Sequence, residues 1–204
     1  MYIRILLEIR IFVSTTVRTY KTEAIILKRI NFSEADKILT LYTKHYGKIS
    51  AIAKGVRKLT SRKAASLELF NHVDLFLVKG KNLDIVTETT LINSFPNFRK
   101  DLRRIKLAYE ACEVIERLTV EEKGNTGVFL KLKDFLYGLE KASRVRPWRT
   151  PGSDPAGLTD FKSQILSLLG FGTLKTLTLE TINTYIETII EKKLVAGKIL
   201  DNTN

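Results

Sequence analysis

The stretch KILTLYTKHYGKISAIAKGVRK, residues 37–58, carries the reading of the first half of the chain. Across 37–43, Ile38, Thr40 and Tyr42 alternate with Leu39 and Leu41, the two-residue period of a strand with two distinct faces. His45-Tyr46-Gly47 makes a tight turn, residues 48–53 resume as the next strand, and Gly55 ends it. Upstream, residues 22–30 are apolar and β-branched, and Asn31-Phe32-Ser33-Glu34 turns them into the quoted stretch. Downstream, a polar, basic connection over 56–66 leads to residues 69–78, which carry Phe70, Val73, Leu75, Phe76 and Leu77. Lys79-Gly80-Lys81-Asn82 then turns the chain into residues 83–92. Five short strands in about 75 residues, with one longer connection between the third and fourth, predict an OB-fold barrel. An SH3-like barrel is the structural competitor, because both close their sheet edges and strand count alone does not separate them.

After Pro96 the apolar period lengthens. Leu102, Ile105, Tyr109, Cys112, Ile115 and Leu118 step by three and four, while Arg103, Lys106, Glu110, Glu113, Glu116 and Arg117 fall between them. Gly124-Asn125 breaks this helix, and Phe129, Leu132, Phe135, Leu136 and Leu139 define a second one through Ala142. Pro147, Pro151, Pro155, Gly152 and Gly157 make 144–157 a loop, and two more helices are predicted over 159–169 and 179–194. The predicted fold class is therefore α+β: an N-terminal OB-fold followed by an all-α domain of about four helices. The expected organisation is an extension over 1–18, an OB-fold nucleic-acid-binding domain over 19–96, and a helical domain over 97–204 with the Pro/Gly loop inside it. Within the extension, Ile3, Ile5, Leu7, Ile9, Ile11 and Val13 alternate, which fits either an added edge strand or a loose terminus.

The formal charge of +12 and a pI near 9.8 point to an anionic partner, nucleic acid or anionic membrane. The excess lies forward: 13 basic against 7 acidic residues over 19–97, and 18 against 14 over the longer 98–204. A single cysteine, Cys112, excludes an intramolecular disulfide and a cysteine-built zinc site, and it fits a reducing compartment. Glu8 and Arg10 interrupt the apolar start as a signal-peptide core, and no run approaches the ~18 apolar residues of a membrane span. The expected location is the cytoplasm, with no membrane partner.

The densest chemical feature is Lys54, Arg57, Lys58, Arg62 and Lys63, five cations in ten residues punctuated by Gly55. Cations so spaced suit phosphate tracking, each neutralised phosphate releasing condensed counterions; the alternative is a solubilising surface loop. Lys44, Lys48, Lys79 and Lys81 flank two barrel turns, and Tyr46 offers a ring on which a base can stack, completing the candidate nucleic-acid-binding set. Phe32 and Tyr42 fit stacking and barrel packing equally. Arg99, Lys100, Arg103 and Arg104, with Lys106, crowd the start of the first helix, where the dipole disfavours positive charge. They are candidate partner or DNA contacts, or long side chains shielding a domain junction. No catalytic residue is expected, and the chain is not read as an enzyme. His45 and His72 lack a second ligand at metal spacing, and Cys112 lies on an apolar helix face. Glu34 and Asp36 fit a turn, and neither a P-loop nor a GxSxG elbow occurs. No metal and no cofactor is expected.

Lys21-Thr22-Glu23-Ala24-Ile25-Ile26-Leu27, Glu34-Ala35-Asp36-Lys37-Ile38-Leu39-Thr40-Leu41 and residues 47–58 together resemble RecO, a family of bacterial recombination mediators. Ser61-Arg62, Leu69-Phe70, the Leu-Ile-Asn-Ser-Phe run at 91–95 and, more weakly, residues 161–171 ending in Leu-Leu-Gly-Phe extend the likeness over about residues 20–200. The resemblance implies an OB-fold followed by a helical domain. It implies binding of single- and double-stranded DNA, annealing of complementary strands, and binding of the C-terminal tail of single-stranded-DNA-binding protein. It also implies work with RecR to help load RecA, which is thereby an indirect partner. The basic loop at 54–63 matches the family's DNA-contacting region. Two departures stand out: the four-cysteine zinc module that many members carry after Leu-Leu-Gly-Phe is missing, since Gly172-Thr173-Leu174 follow Phe171 with no cysteine, and residues 1–18 precede the usual start.

Overall fold

The structure, a computed structural model, describes residues 18–142, 157–172, 178–191 and 194. The alternating stretch at 3–13, nearly all of the Pro/Gly loop and the tail beyond 194 lie outside them.

Five strands, β1 (Thr19–Phe32), β2 (Asp36–Thr43), β3 (Gly47–Ala53), β4 (His72–Val78) and β5 (Asp84–Asn93), close a barrel in the order β1-β2-β3-β5-β4. β3 and β5 run parallel through Ala51–Asp84 and Ile52–Ile85, and every other pairing is antiparallel. That Greek-key closure identifies an OB-fold, the alternative that strand count had left undecided. β1 does double duty: residues 19–25 pair with β4 and residues 24–32 with β2, across a register shift between Ile26 and Lys28 that bends the strand from one neighbour to the next.

The burial pattern explains the sequence pattern. β3 alternates strictly in burial, with Ile49, Ala51 and Ala53 inward, and Leu39, Leu41, Val73, Leu75, Leu77 and Val86 complete the barrel core. β1 is buried on both faces: Ala24 and Ile26 point into the barrel, while Ile25 and Leu27 face the helices. A strand covered on two sides reads as an unbroken apolar run, as Ala24 to Leu27 do.

Helices α1 (Leu102–Leu118), α2 (Thr126–Lys141), α3 (Leu158–Leu168) and α4 (Leu179–Ile190) follow a single 3-10 turn at Phe98–Lys100. Asp101, Asn125 and Thr178 cap α1, α2 and α4 by accepting from the backbone N–H groups of Arg103, Val128 and Thr181. Arg99 and Lys100 therefore sit in the 3-10 turn and not in α1. The Asp101 carboxylate, capping α1 and 3.4 Å from Arg104, offsets the positive charge that crowds its first turn.

Two predicted boundaries move for identifiable reasons. The fourth strand starts at His72, three residues later than its pattern implies, because Phe70 adopts φ 69° and no strand runs through that conformation. α4 stops at Ile190 with Glu191 at φ 53°, and Leu194 returns to the core with its N–H donated to Glu187 Oε1 at 2.9 Å.

Barrel and helices share one core in which Ile25, Tyr42 and Phe70 pack with Leu107, Ala111, Ile115, Phe129 and Leu132. The backbones meet where the β2–β3 turn touches the α1–α2 connection. Gly47 has φ 69°, and a Cβ there would lie 2.1 Å from the Lys123 carbonyl oxygen; one on Gly124 would lie 2.2 Å from that of His45. Glu122 N–H donates to the Lys48 carbonyl at 2.9 Å, and Thr126 Oγ1 to that of Lys44 at 3.0 Å. Farther into the helices, fully buried Lys162 joins three of them by donating to Glu110 at 3.0 Å and Asn183 at 2.6 Å.

Candidate nucleic-acid interface

The connection from β3 to β4 begins with Gly55 at φ 66° and is pinned at once to the β1–β2 turn. Gly55 N–H donates to Asp36 Oδ1 at 2.8 Å, Arg57 N–H to the Ala35 carbonyl at 2.9 Å, and the Arg57 guanidinium to the Ser33 carbonyl at 3.0 Å. Asp36 thus acts on a turn, as its position suggests. Two successive turns follow, closed by Lys58 N–H to Gly55 at 3.2 Å and Ser61 N–H to Lys58 at 2.9 Å. Val56 and Leu67 plug into the barrel core, and Lys63 reaches the Val86 carbonyl at 3.2 Å. Between these anchors Lys54, Arg57, Lys58 and Arg62 are exposed, and none forms an ion pair among the described residues. Phe32 is half exposed beside them.

At the opposite end of β3 three of the four lysines are matched. Lys44 pairs with Glu23 at 2.7 Å. Lys48 is half-buried with its ammonium on the Glu116 carbonyl, and burial pulls its pKa below the usual lysine range. Lys79 lies between Glu122 and Asp84, and the hydrogen bond to Glu122 holds its pKa above that range. Lys81 is exposed. Tyr46 packs on Tyr20 with ring centroids 4.6 Å apart, and Tyr20 donates its hydroxyl to Asp84. Those two rings, Arg18, Ile49, Lys79 and Glu122 line a cleft of about 430 Å³. A seven-residue strand at its usual rise separates the two groups by about 20 Å. The structure therefore splits the candidate set. Lys54, Arg57, Lys58, Arg62 and Lys63 stand at one end of β3, and Lys44, Tyr46, Lys48, Lys79 and Lys81 at the other.

The cluster before α1 also divides. Arg99 is part of the junction: its guanidinium donates to the carbonyls of Ser94 and Leu69 and to Asn71 Oδ1, and it lies over the Phe70 and Phe98 rings at 5.7 and 5.8 Å. Arg104 is buried, donating to the Leu139 carbonyl at 3.2 Å. These hydrogen bonds tie half-buried Arg99 and buried Arg104 to the junction, the shielding alternative for this cluster. Lys100 and Arg103 are exposed. Tyr42 is core, its hydroxyl 3.4 Å from the Asn125 carbonyl and its pKa pushed up by burial to about 12, so it is no stacking platform. His72 is buried between Glu23 at 3.3 Å and the Tyr137 hydroxyl at 3.2 Å. Cys112 is buried and its thiol is pushed far up by desolvation.

A second cleft, of about 560 Å³, opens between β1, the end of the basic connection and α1. Leu27, Phe70 and Tyr109 form its apolar part, and Lys28, Arg29 and Arg99 face Glu68, Glu113 and Glu116. Its walls come from segments far apart in sequence, and no local pattern announces it.

Residues 17–95 match the family described as Recombination protein O N terminal, a segment that takes in the whole barrel. The DNA repair protein RecO of Roseiflexus sp. (strain RS-1) is 41% identical over 128 residues, covering 63% of this chain and 45% of that protein. The DNA repair protein RecO of Symbiobacterium thermophilum is 35% identical over 153 residues, covering 74% of this chain and 57% of that protein. Residues 17–95 thus carry the RecO N-terminal domain, and the chain is similar to these RecO proteins. It spans about half the length of the curated RecO relatives it matches. The barrel is the segment that matches the RecO N-terminal domain. Among the described residues no helix is long and apolar enough to cross a membrane.

Proposed function

We propose that this RecO-like protein acts in the cytoplasm as a DNA-binding mediator of recombinational repair, with the pinned loop at 54–63 as its phosphate-contacting element. The observation that carries the reading is a group of four exposed cations, Lys54, Arg57, Lys58 and Arg62, without carboxylate partners among the described residues, on a loop whose ends are fastened into the barrel. Such a loop loses little conformational freedom when it meets a polyanion, and each phosphate it neutralises releases counterions. Phosphates are common to single and double strands, so both bind. Annealing needs no active site, because neutralising two backbones together removes the repulsion between them. Lys100 and Arg103 extend the positive surface toward the helices. The further partners proposed are RecR, the C-terminal tail of single-stranded-DNA-binding protein, and RecA indirectly.

A second reading, an adaptor that holds acidic tails without touching DNA, would use the cleft against α1. There Glu68, Glu113 and Glu116 offset Lys28, Arg29 and Arg99, so the cleft offers an acidic segment no net attraction, whereas the loop is unbalanced. Single-strand binding measured against salt distinguishes the two. The DNA reading expects log K to fall linearly with log salt, at about −0.7 per phosphate contacted, with a shallower slope once Lys54, Arg57, Lys58 and Arg62 are replaced by Ala. Affinity indifferent both to salt and to those replacements would overturn it.

A further inference from the structure

The basic apex also carries apolar side chains that the phosphate reading leaves unused. Leu59, between Lys58 and the Ser61 turn, is fully exposed, and Ile30 and Phe32 are 52% and 48% exposed. Large apolar residues scattered singly on a surface are ordinary. These are not scattered. Ile30 and Phe32 are two apart on β1, so they share a face. Phe32 pairs with Asp36, whose carboxylate holds Gly55, and its neighbour Ser33 accepts from the Arg57 guanidinium. Leu59 follows two residues after Arg57. Three hydrogen bonds thus fasten the Phe32 hairpin tip to the start of the Leu59 turn, with Lys54, Arg57 and Lys58 between them.

We infer that Phe32 and Leu59 are base-contacting residues: with the backbone held on the flanking cations, their side chains stack against or wedge between nucleobases, so that the apex unstacks the strand it binds. The inference rests on the phosphate reading above and adds the bases to it. Charge complementarity selects the occupant. Unpaired cations around an apolar tip repel a second copy of the same surface and attract a polyanion, and in nucleic acid each phosphate is joined through its sugar to a base with a stackable face. Aromatic stacking is tolerant of sequence, and aliphatic wedges such as Leu enter base steps in the same way.

The test compares an oligothymidylate with an abasic oligomer of the same length and phosphate charge. The intact chain is expected to bind the oligomer with bases about tenfold or more tightly. The Phe32→Ala, Leu59→Ala double variant, altered only at exposed positions, is expected to lose that preference while its salt slope stays as before. Equal affinity of the intact chain for both oligomers, or a variant that keeps the preference, would overturn the inference while leaving phosphate binding standing. Failure to bind either oligomer would instead remove the phosphate reading on which it rests. Sedimentation with anionic vesicles and of the chain alone completes the test: if the double substitution abolishes vesicle binding or self-association and leaves the base preference intact, the apolar tip serves a membrane or a second copy and the inference fails.

Discussion

The two ends of β3 present the same residue types in opposite states. At the Gly47 end, lysines meet Glu23, Glu122, Asp84 and the Glu116 carbonyl, and the turn presses backbone to backbone against the α1–α2 connection. At the Gly55 end Lys54, Arg57, Lys58 and Arg62 form no ion pair among the described residues, and the loop is tied back to its own barrel. A lysine is therefore informative about function only together with what faces it. The first end holds the molecule together, and the second is free to meet an outside charge.

The comparison is broken most severely at the two glycines that close β3. Both have positive φ, but a Cβ at Gly47 meets the Lys123 carbonyl at 2.1 Å, while at Gly55 the nearest atom is the flexible Lys58 side chain at 3.9 Å. Gly47→Ala must therefore force the junction apart as well as strain its own backbone, and an unfolding titration should show a loss of about 3 kcal/mol; Gly55→Ala should cost only about 1 kcal/mol. Equal losses would mean that the turn and the α1–α2 connection do not touch as described.

Next comes binding. Replacing Lys54, Arg57, Lys58 and Arg62 together by Ala should weaken single-strand affinity on the order of a hundredfold at low salt. Replacing Lys79 and Lys81 should cost roughly threefold or less, because Lys79 is already held by two carboxylates. Fluorescence anisotropy with a labelled oligomer measures both. A Lys79, Lys81 variant as weak as the loop variant would make the second end part of the binding surface and erase the distinction.

Much of this was legible in the residues. Alternation over 37–53 and the turn glycines give the hairpin, and the continuous run from Ala24 to Leu27 marks a strand buried on both faces. The separation of Lys48 from Lys54 was also available, since one strand lies between them and its rise fixes the distance. The left-handed Phe70 was not, because nothing in its type favours φ 69°; Arg99, donating to Leu69 and Asn71 on either side of it, helps hold that conformation. Nor was the division of the cluster before α1. Lys100 and Arg103 look like Arg99 and Arg104 until Ser94, Leu69 and Leu139 supply carbonyls, two of them more than twenty-five residues away. Sequence shows where charge is made, and only the fold shows where it is spent on the protein itself.

The smallest effect expected is a dependence on pH that belongs to the structural end alone. His72 is buried beside Glu23, and desolvation lowers its pKa below the usual 6.5; the hydrogen bond from Lys44 lowers that of Glu23 below 4.5. Both shifts have the same sign, since in each case the folded chain binds its proton less readily than the unfolded one. The associated stability is full above the unfolded value and is lost as pH falls toward the folded value. The urea midpoint should then hold steady above about pH 7, decline as pH drops below about 6.5 where unfolded His72 protonates, and decline again in the carboxylate range. His72→Gln should remove the first decline and keep the second. DNA affinity per folded molecule should not follow the first decline, because His72 is buried beside Glu23 and Tyr137, away from the loop at 54–63. A midpoint flat between about pH 7 and 5, or a His72→Gln variant that still shows the first decline, would place the sensitivity elsewhere and leave the two ends of β3 alike in their response to protons.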